Sequence, residues 1–301
     1  MKLRKFLYSL LTIFLALSTI FFILRMTPGD PVEKILGPDA TSTELANYRH
    51  QLGLDLPMIE QYFNYMRGVV TGDWGNSLFK RKAVLDLVSK HMKPTMILAF
   101  FSVGLATVLG LLFGITSGFY KGRFADNSLR IFSLLSLSFP IFSLAPILVF
   151  IFSVKLGFLP VSEWLGVKYA ILPTLTLVIP LSAVITRVTR NKYLEEVKAP
   201  WVTVLKAKGL KTFPILLRVT RVCLPTILNV VAIQLSVVLA GTMITETIFD
   251  IPGMGMLLFE GIQNRDYPIV QGVVVYSTLI YMLVYFAVDI ANSRVDPRIK
   301  A

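Results

Sequence analysis

The side chains able to do chemistry are few and scattered. The two histidines, His50 and His91, stand far apart and form no HExxH pair. There is no GxSxG elbow and no GxxxxGK[ST] loop, so neither a hydrolase nucleophile nor a phosphate cradle is encoded. The single Cys223 excludes an internal disulfide and a cysteine metal site. Two carboxylates fall at the ends of apolar runs, Glu246 and Asp289. Ionisable groups there are functional candidates. Each also has a plain reading: Glu246 bonded to Thr242 or Thr245, Asp289 neutralised by Arg294. The one dense concentration of polar chemistry is the basic stretch 187–225, RVTRNKYLEEVKAPWVTVLKAKGLKTFPILLRVTRVCLP. Trp201 to Lys208 reads as a short helix carrying Trp201, Val202, Val204 and Leu205, stopped by Gly209, which enters the left-handed region at little steric cost. A second short helix is expected to follow and to end near Pro225. A helix–glycine–helix knob between two apolar runs offers a docking surface.

The elements that position this knob are membrane helices. The 301 residues are 54% hydrophobic and 16% charged, against about 25% charged in soluble domains. Their mean hydropathy is +0.68. The net charge of +12 fits basic cytoplasmic loops better than nucleic-acid binding, since no basic stripe with stacking aromatics stands on a soluble module. Residues 1–26 form a first, uncleaved membrane helix. Residues 27–93 are too polar to span lipid and form a small external helical domain. Within it Thr41 and Glu44 have capping-box spacing, Pro57 opens a helix, and residues 83–92 form a further amphipathic helix. Five more spans are expected over about 96–120, 131–154, 171–186, 226–246 and 269–290, with the basic loop 187–225 between the fourth and fifth and a tail at 293–301. Gly110, Gly114 and Gly118 give the second span a small-residue face. Pro140 and Pro146 break the third span and Pro173 and Pro180 the fourth, as in a bundle that lines a cavity. Lys2, Arg4, Lys5, Lys121, Arg123, Arg130, the basic loop and Arg294, Arg298 and Lys300 all fall on one side, which puts both termini and the knob in the cytoplasm.

Several motifs then occur in a fixed order: Pro28-Gly29-Asp30-Pro31, Leu52-Gly53-Leu54-Asp55-x-Pro57, Gly72-Asp73-Trp74-Gly75-x-Ser77, Ala207-Lys208-Gly209-Leu210, Glu246-Thr247-Ile248-Phe249, Pro252-Gly253-Met254-Gly255, Asn264-Arg265-Asp266-Tyr267-Pro268 and Val295-Asp296-Pro297-Arg298. Together they span essentially the whole chain. The set resembles the permease subunits of ABC importers for oligopeptides, dipeptides and nickel. The resemblance implies an all-α integral membrane protein of the type I importer kind, with six transmembrane helices and a small helical external domain between helices 1 and 2. It implies a non-catalytic subunit with no cofactor or metal of its own, ATP and magnesium being held by two ATPase partners. A second, homologous permease and an external substrate-binding protein complete the expected assembly, with peptide as cargo. Nickel, a metal chelate or glutathione is the alternative cargo; a stand-alone channel or membrane enzyme is the alternative class.

The resemblance also implies site residues. The coupling helix that seats in the ATPase falls on residues 194–209, giving Glu195, Trp201, Val202, Leu205, Ala207 and Gly209, with Trp201, Val202 and Leu205 as apolar anchors. Here the sequence departs from the family pattern, with Thr203-Val204-Leu205 where EAA-like residues are expected. The translocation path is expected along Ser136, Ser143, Thr174, Thr176, Asn229, Gln234, Ser236, Thr242 and Glu246. The external binding protein is expected to dock on Asp73, Trp74, Pro252, Gly253, Asn264, Arg265 and Asp266.

Overall fold

The computed structural model describes the backbone of residues 2–240 and 242–295. Among these residues every regular element is helical: α1 (Lys2–Met26), α2 (Pro31–Leu36), α3 (Ser42–Gln51), α4 (Met58–Thr71), α5 (Val84–Phe119), α6 (Phe124–Ser138), α7 (Ile141–Val149), a π-helical turn (Phe150–Lys155), α8 (Val167–Glu196), α9 (Pro200–Ala207), α10 (Thr212–Leu239), α11 (Met243–Ile248), α12 (Met254–Asn264) and α13 (Tyr267–Val295). Five are long and apolar enough to cross a membrane: Leu7–Met26, Val84–Phe119, Val167–Glu196, Thr212–Leu239 and Tyr267–Arg294. The pair Phe124–Ser138 and Ile141–Lys155, bent by 103° from straight, makes a sixth if counted as one span. The expected tail 293–301 lies mostly outside the described residues.

Prolines act selectively. The sharp bend in the third span falls at Phe139 and Pro140, with Phe139 extended at φ −87°, ψ 116°. Pro Cδ drives the preceding residue out of the α region. Further on, Pro146 stays inside α7, and the ladder then slips to a π turn closed by Leu156 N–H donating to Ile151 O at 3.1 Å. Contrary to expectation, Pro173 and Pro180 do not break the fourth span: α8 runs through both for 30 residues. Nor does a helix end at Pro225, which lies inside α10. Each proline removes one hydrogen bond, whereas a break would orphan several backbone groups away from water. Similarly, the amphipathic stretch 83–92 and the second span are one 36-residue helix through Pro94, so the expected boundary at residue 93 falls inside a helix.

The chain divides into two compact units. The described parts of Met1–Thr95, Ala240–Met243 and Pro252–Met282 make one, and those of Met96–Leu239, Ile244–Ile251 and Leu283–Ala301 the other. In the first, Phe21 of α1 is fully buried and ringed by Phe22, Tyr62 and Tyr65 at centroid distances of 5.2–5.6 Å. Thr41 and Glu44 close the capping box that starts α3. Val84, Leu87 and Val88 pack with Met254, Leu257, Ile269, Val273 and Tyr276.

The second unit is built on α8, which packs against α6, α7 and α10. The glycine face of α5 lies on it as well. A Cβ added at Gly110, Gly114 or Gly118 would stand 2.5 Å from Ile185 Cβ, Thr189 Cβ and Tyr193 Cδ1 respectively. Only hydrogen fits at these three positions, so the two helices pack closely along this face. Ala106, Ile185, Tyr193, Val219, Cys223 and Ile227 continue this core toward α10.

Candidate functional site

The basic stretch resolves into the end of α8, the short helix α9 and the start of α10. Arg187 to Glu196 extends α8. Its last turns carry an ion-pair cluster, with Lys192 Nζ 3.0 Å from Glu195 Oε1 and 2.8 Å from Glu196 Oε1. Trp201 Nε1 donates to Glu196 Oε2 at 3.3 Å. Ala199 is extended and Pro200 sits in the first turn of α9, where its missing N–H costs nothing. Gly209, at φ +76°, ends the segment as expected.

The anchors face differently from the sequence expectation. Val202 is 1% exposed and lies in this chain's own core with Tyr193, Ile215, Val219 and Cys223, while Trp201 and Leu205 pack partly buried against the same cluster. The outward face of α9 is Thr203, Val204, Lys206 and Ala207, with Val204 at 52% exposure. Glu195, on α8, is exposed.

The polar path candidates scatter. Ser136 and Ser236 are buried and donate to Phe132 O and Ala232 O, each back-bonding its own helix. Thr176 does the same to Leu172 O. Ser143 and Thr242 are half-buried. Thr174 lines an apolar cleft of about 430 Å³ with Ile97, Phe101, Leu105 and Trp164. Asn229 Oδ1 accepts from Asn292 Nδ2 at 2.6 Å. Gln234 is buried; its Nε2 reaches Leu181 O at 3.4 Å and its Oε1 has no partner among the described residues. Glu246 is fully buried in α11. Asn229 and Gln234 thus bond across elements.

A buried charge pair went unnoticed in the sequence. Asp126, 1% exposed in the first turn of α6, receives Arg190 Nε at 2.7 Å and Arg190 Nη2 at 2.9 Å. Ser117 Oγ donates to it at 2.6 Å and Gly122 N–H at 2.8 Å. This bidentate clamp ties α5, α6 and α8 together. Its one sequence signal was Asp126 as the lone acid between Lys121 and Arg130; its partner was read only as one charge of the basic loop.

The external candidates also separate. Asp73 and Pro252 are exposed, Trp74, Asn264 and Arg265 half-buried, and Gly253 and Asp266 buried. Asp266 accepts from Ser77 Oγ at 2.6 Å, Phe79 N–H at 3.2 Å and Ile269 N–H at 3.3 Å. It pins the 77–83 turn to the start of α13 and presents no docking face. Among the described residues no group of three or more His, Cys, Asp or Glu side chains is placed to hold a metal.

The family of binding-protein-dependent transport system inner membrane components matches residues 110–301, and the N-terminal part of such membrane components matches residues 1–99. A probable peptide ABC transporter permease protein of Sinorhizobium fredii is 36% identical over 93% of this chain and 93% of its own. The glutathione transport system permease protein of Escherichia coli strain K12 is 31% identical over 96% of this chain and 95% of its own. Among solved structures, an inward-facing MetNI methionine ABC transporter chain superposes with a TM-score of 0.58 at 18% identity, over 70% of this chain and 97% of that one; it bears on the fold alone. The chain therefore belongs to the binding-protein-dependent transport system inner membrane components, multi-pass membrane proteins, and is a permease subunit of an ABC importer.

Proposed function

We propose that this permease pairs with a second, homologous permease to form a path for short peptides handed over by an external binding protein. Two ATPase subunits, holding ATP and magnesium, drive it from the cytoplasmic side, where both termini of this chain also lie. The chain itself binds no nucleotide. Peptide cargo is favoured by the peptide permease relative; glutathione, the cargo named for the other relative, is itself a tripeptide and is the second reading.

The observation that carries the coupling role is the two-faced α9. Val202 fixes the helix from behind, and Val204 stands outward at 52% exposure beside Thr203 and Ala207. An apolar side chain held outward on a braced helix can be buried by a partner without first being ordered, which lowers the cost of binding. Val202, Trp201 and Leu205 then act by holding the helix, and Val204 by entering the ATPase groove. Glu195 and Gly209 frame the segment; Lys206 and Lys208 lie at the rim.

The test is Val204→Asp against Val202→Asp, in membranes that co-express the partner subunits. Val204→Asp is expected to insert and fold normally, to lose co-purifying ATPase and to abolish uptake of labelled di- to pentapeptides. Val202→Asp is expected to reduce the folded yield. Full transport by Val204→Asp would overturn the coupling assignment. Uptake of a metal chelate in place of every peptide would overturn the cargo.

A further inference from the structure

The first unit contains a cavity of about 250 Å³ that the transport reading leaves without a role. It opens beside Arg25, in the last turn of α1, and its walls include Gln61 and Tyr65 of α4, Trp74, and Gln271 near the start of α13. Arg25 stacks on Phe21, 3.6 Å from the ring centroid, and its Nε donates to Gln61 Oε1 at 2.9 Å. Among the described residues no carboxylate pairs with this guanidinium. A desolvated cation without a counter-charge is costly and calls for an anion.

Two further donors are unused. Among the described residues the Nε2 of Gln271, a residue 8% exposed, has no hydrogen-bond partner, nor has the buried Tyr65 hydroxyl. Buried polar atoms without partners are rare in folded chains, and here two line the same cavity as the unpaired arginine. An amide N–H₂, a phenol O–H and a guanidinium fork together form a donor set with the shape of an oxyanion site. The other walls, Leu52, Leu54, Leu56 and Val275, are apolar.

We propose that this cavity binds a phosphate oxyanion, presented by a phospholipid headgroup or free in solution, with Arg25, Tyr65 and Gln271 as its ligands. The headgroup is favoured by position. Arg25 ends an apolar span of which only 11% is buried within the chain, so lipid covers α1 up to the cavity. Basic side chains at helix ends sit at headgroup level. Asp73, exposed at the rim with Oδ1 accepting from Gly75 N–H, matches an ammonium such as that of ethanolamine.

The experiment is thermal unfolding of the delipidated full-length chain in detergent, titrated with phosphatidylethanolamine, with diacylglycerol of the same acyl chains, or with inorganic phosphate. The variant is Tyr65→Phe with Gln271→Met, which removes two donors that hydrogen-bond nothing among the described residues. Arg25→Lys keeps the charge but loses the fork. Phosphatidylethanolamine should raise the midpoint of the wild type, diacylglycerol should not, and both variants should need about tenfold more lipid, equivalent to about 1.4 kcal/mol. A shift with inorganic phosphate that the variants lose upholds the site with the free ion as its ligand. Equal response of wild type and variants, or an equal effect of diacylglycerol, overturns the proposal.

Discussion

Replacing Asp126 with alanine tests whether the clamp at the α5–α6–α8 junction holds the second unit together. The carboxylate accepts four hydrogen bonds, two from Arg190 and one each from Ser117 and Gly122. Alanine removes all four and leaves the Arg190 guanidinium, only 16% exposed, without its counter-charge. Breaking a buried pair from one side costs about 3–5 kcal/mol. Removing both charges costs far less, since an apolar pair of similar volume is often neutral. Asp126→Ala should therefore lower stability by about 3–5 kcal/mol, and Asp126→Leu with Arg190→Met should recover most of it. The assay is reversible unfolding in mixed micelles, read as a double-mutant cycle over Asp126→Leu, Arg190→Met and the two together, whose coupling energy isolates the pair. A loss under about 1 kcal/mol for Asp126→Ala, far below the buried-pair range, would show that the clamp does not hold these helices. So would a double variant as unstable as the single one.

Two further outcomes follow from local geometry. Gly114→Ala would put a methyl 2.5 Å from Thr189 Cβ and 2.8 Å from Thr186 O; by overpacking it should cost about 1–3 kcal/mol in thermal unfolding. Gly104→Ala, with nothing within 4 Å of the new methyl, should be neutral or stabilising, and equal losses at the two positions would refute the close-packed face. At the end of α3, His50 has Nδ1 2.7 Å from Oδ2 of Asp55, which lies between α3 and α4. This hydrogen bond raises the His50 pKa above the ordinary 6.5 and lowers that of Asp55 below 3.8. The histidine contribution is complete below pH 6.5 and lost as pH rises through its raised value; that of Asp55 is present above 3.8 and lost as pH falls through its lowered value. Asp55→Asn should bring the His50 titration midpoint, followed by NMR, down toward 6.5. An unchanged midpoint would refute the pairing.

Which features could be read from the sequence depended on how local their causes are. The Thr41–Glu44 box, the Gly209 stop and the break at Pro140 each follow from a few neighbouring residues, and each is found. The Gly110–Gly114–Gly118 face was legible because its period is that of a helix. Pro173, Pro180 and Pro225 misled because local propensity ignores the cost of orphaned backbone groups away from water, which keeps α8 and α10 whole. The facing of α9 was hidden for another reason. Trp201, Val202, Val204 and Leu205 share an arc of about 160° on an eight-residue helix at 3.6 residues per turn, and only the packing of Tyr193, Ile215 and Val219 decides which edge of that arc turns inward. Asp126 and Arg190 are 64 residues apart, and each passes for an ordinary loop charge. Asp266 belonged to a recognised motif, yet its contacts with Ser77 and Phe79 show it fastening the chain to itself.

The absence of side chains on one face of α5 has a mechanical corollary. With Ile185, Thr189 and Tyr193 seated against bare backbone, the two rods cannot slip past one another by even a fraction of a turn without collision. That braced stretch, Ile185 to Tyr193, covers about 12 Å of α8 at 1.5 Å per residue and lies just before its Glu196 end. The bend at Phe139–Pro140 has no such brace of bare backbone.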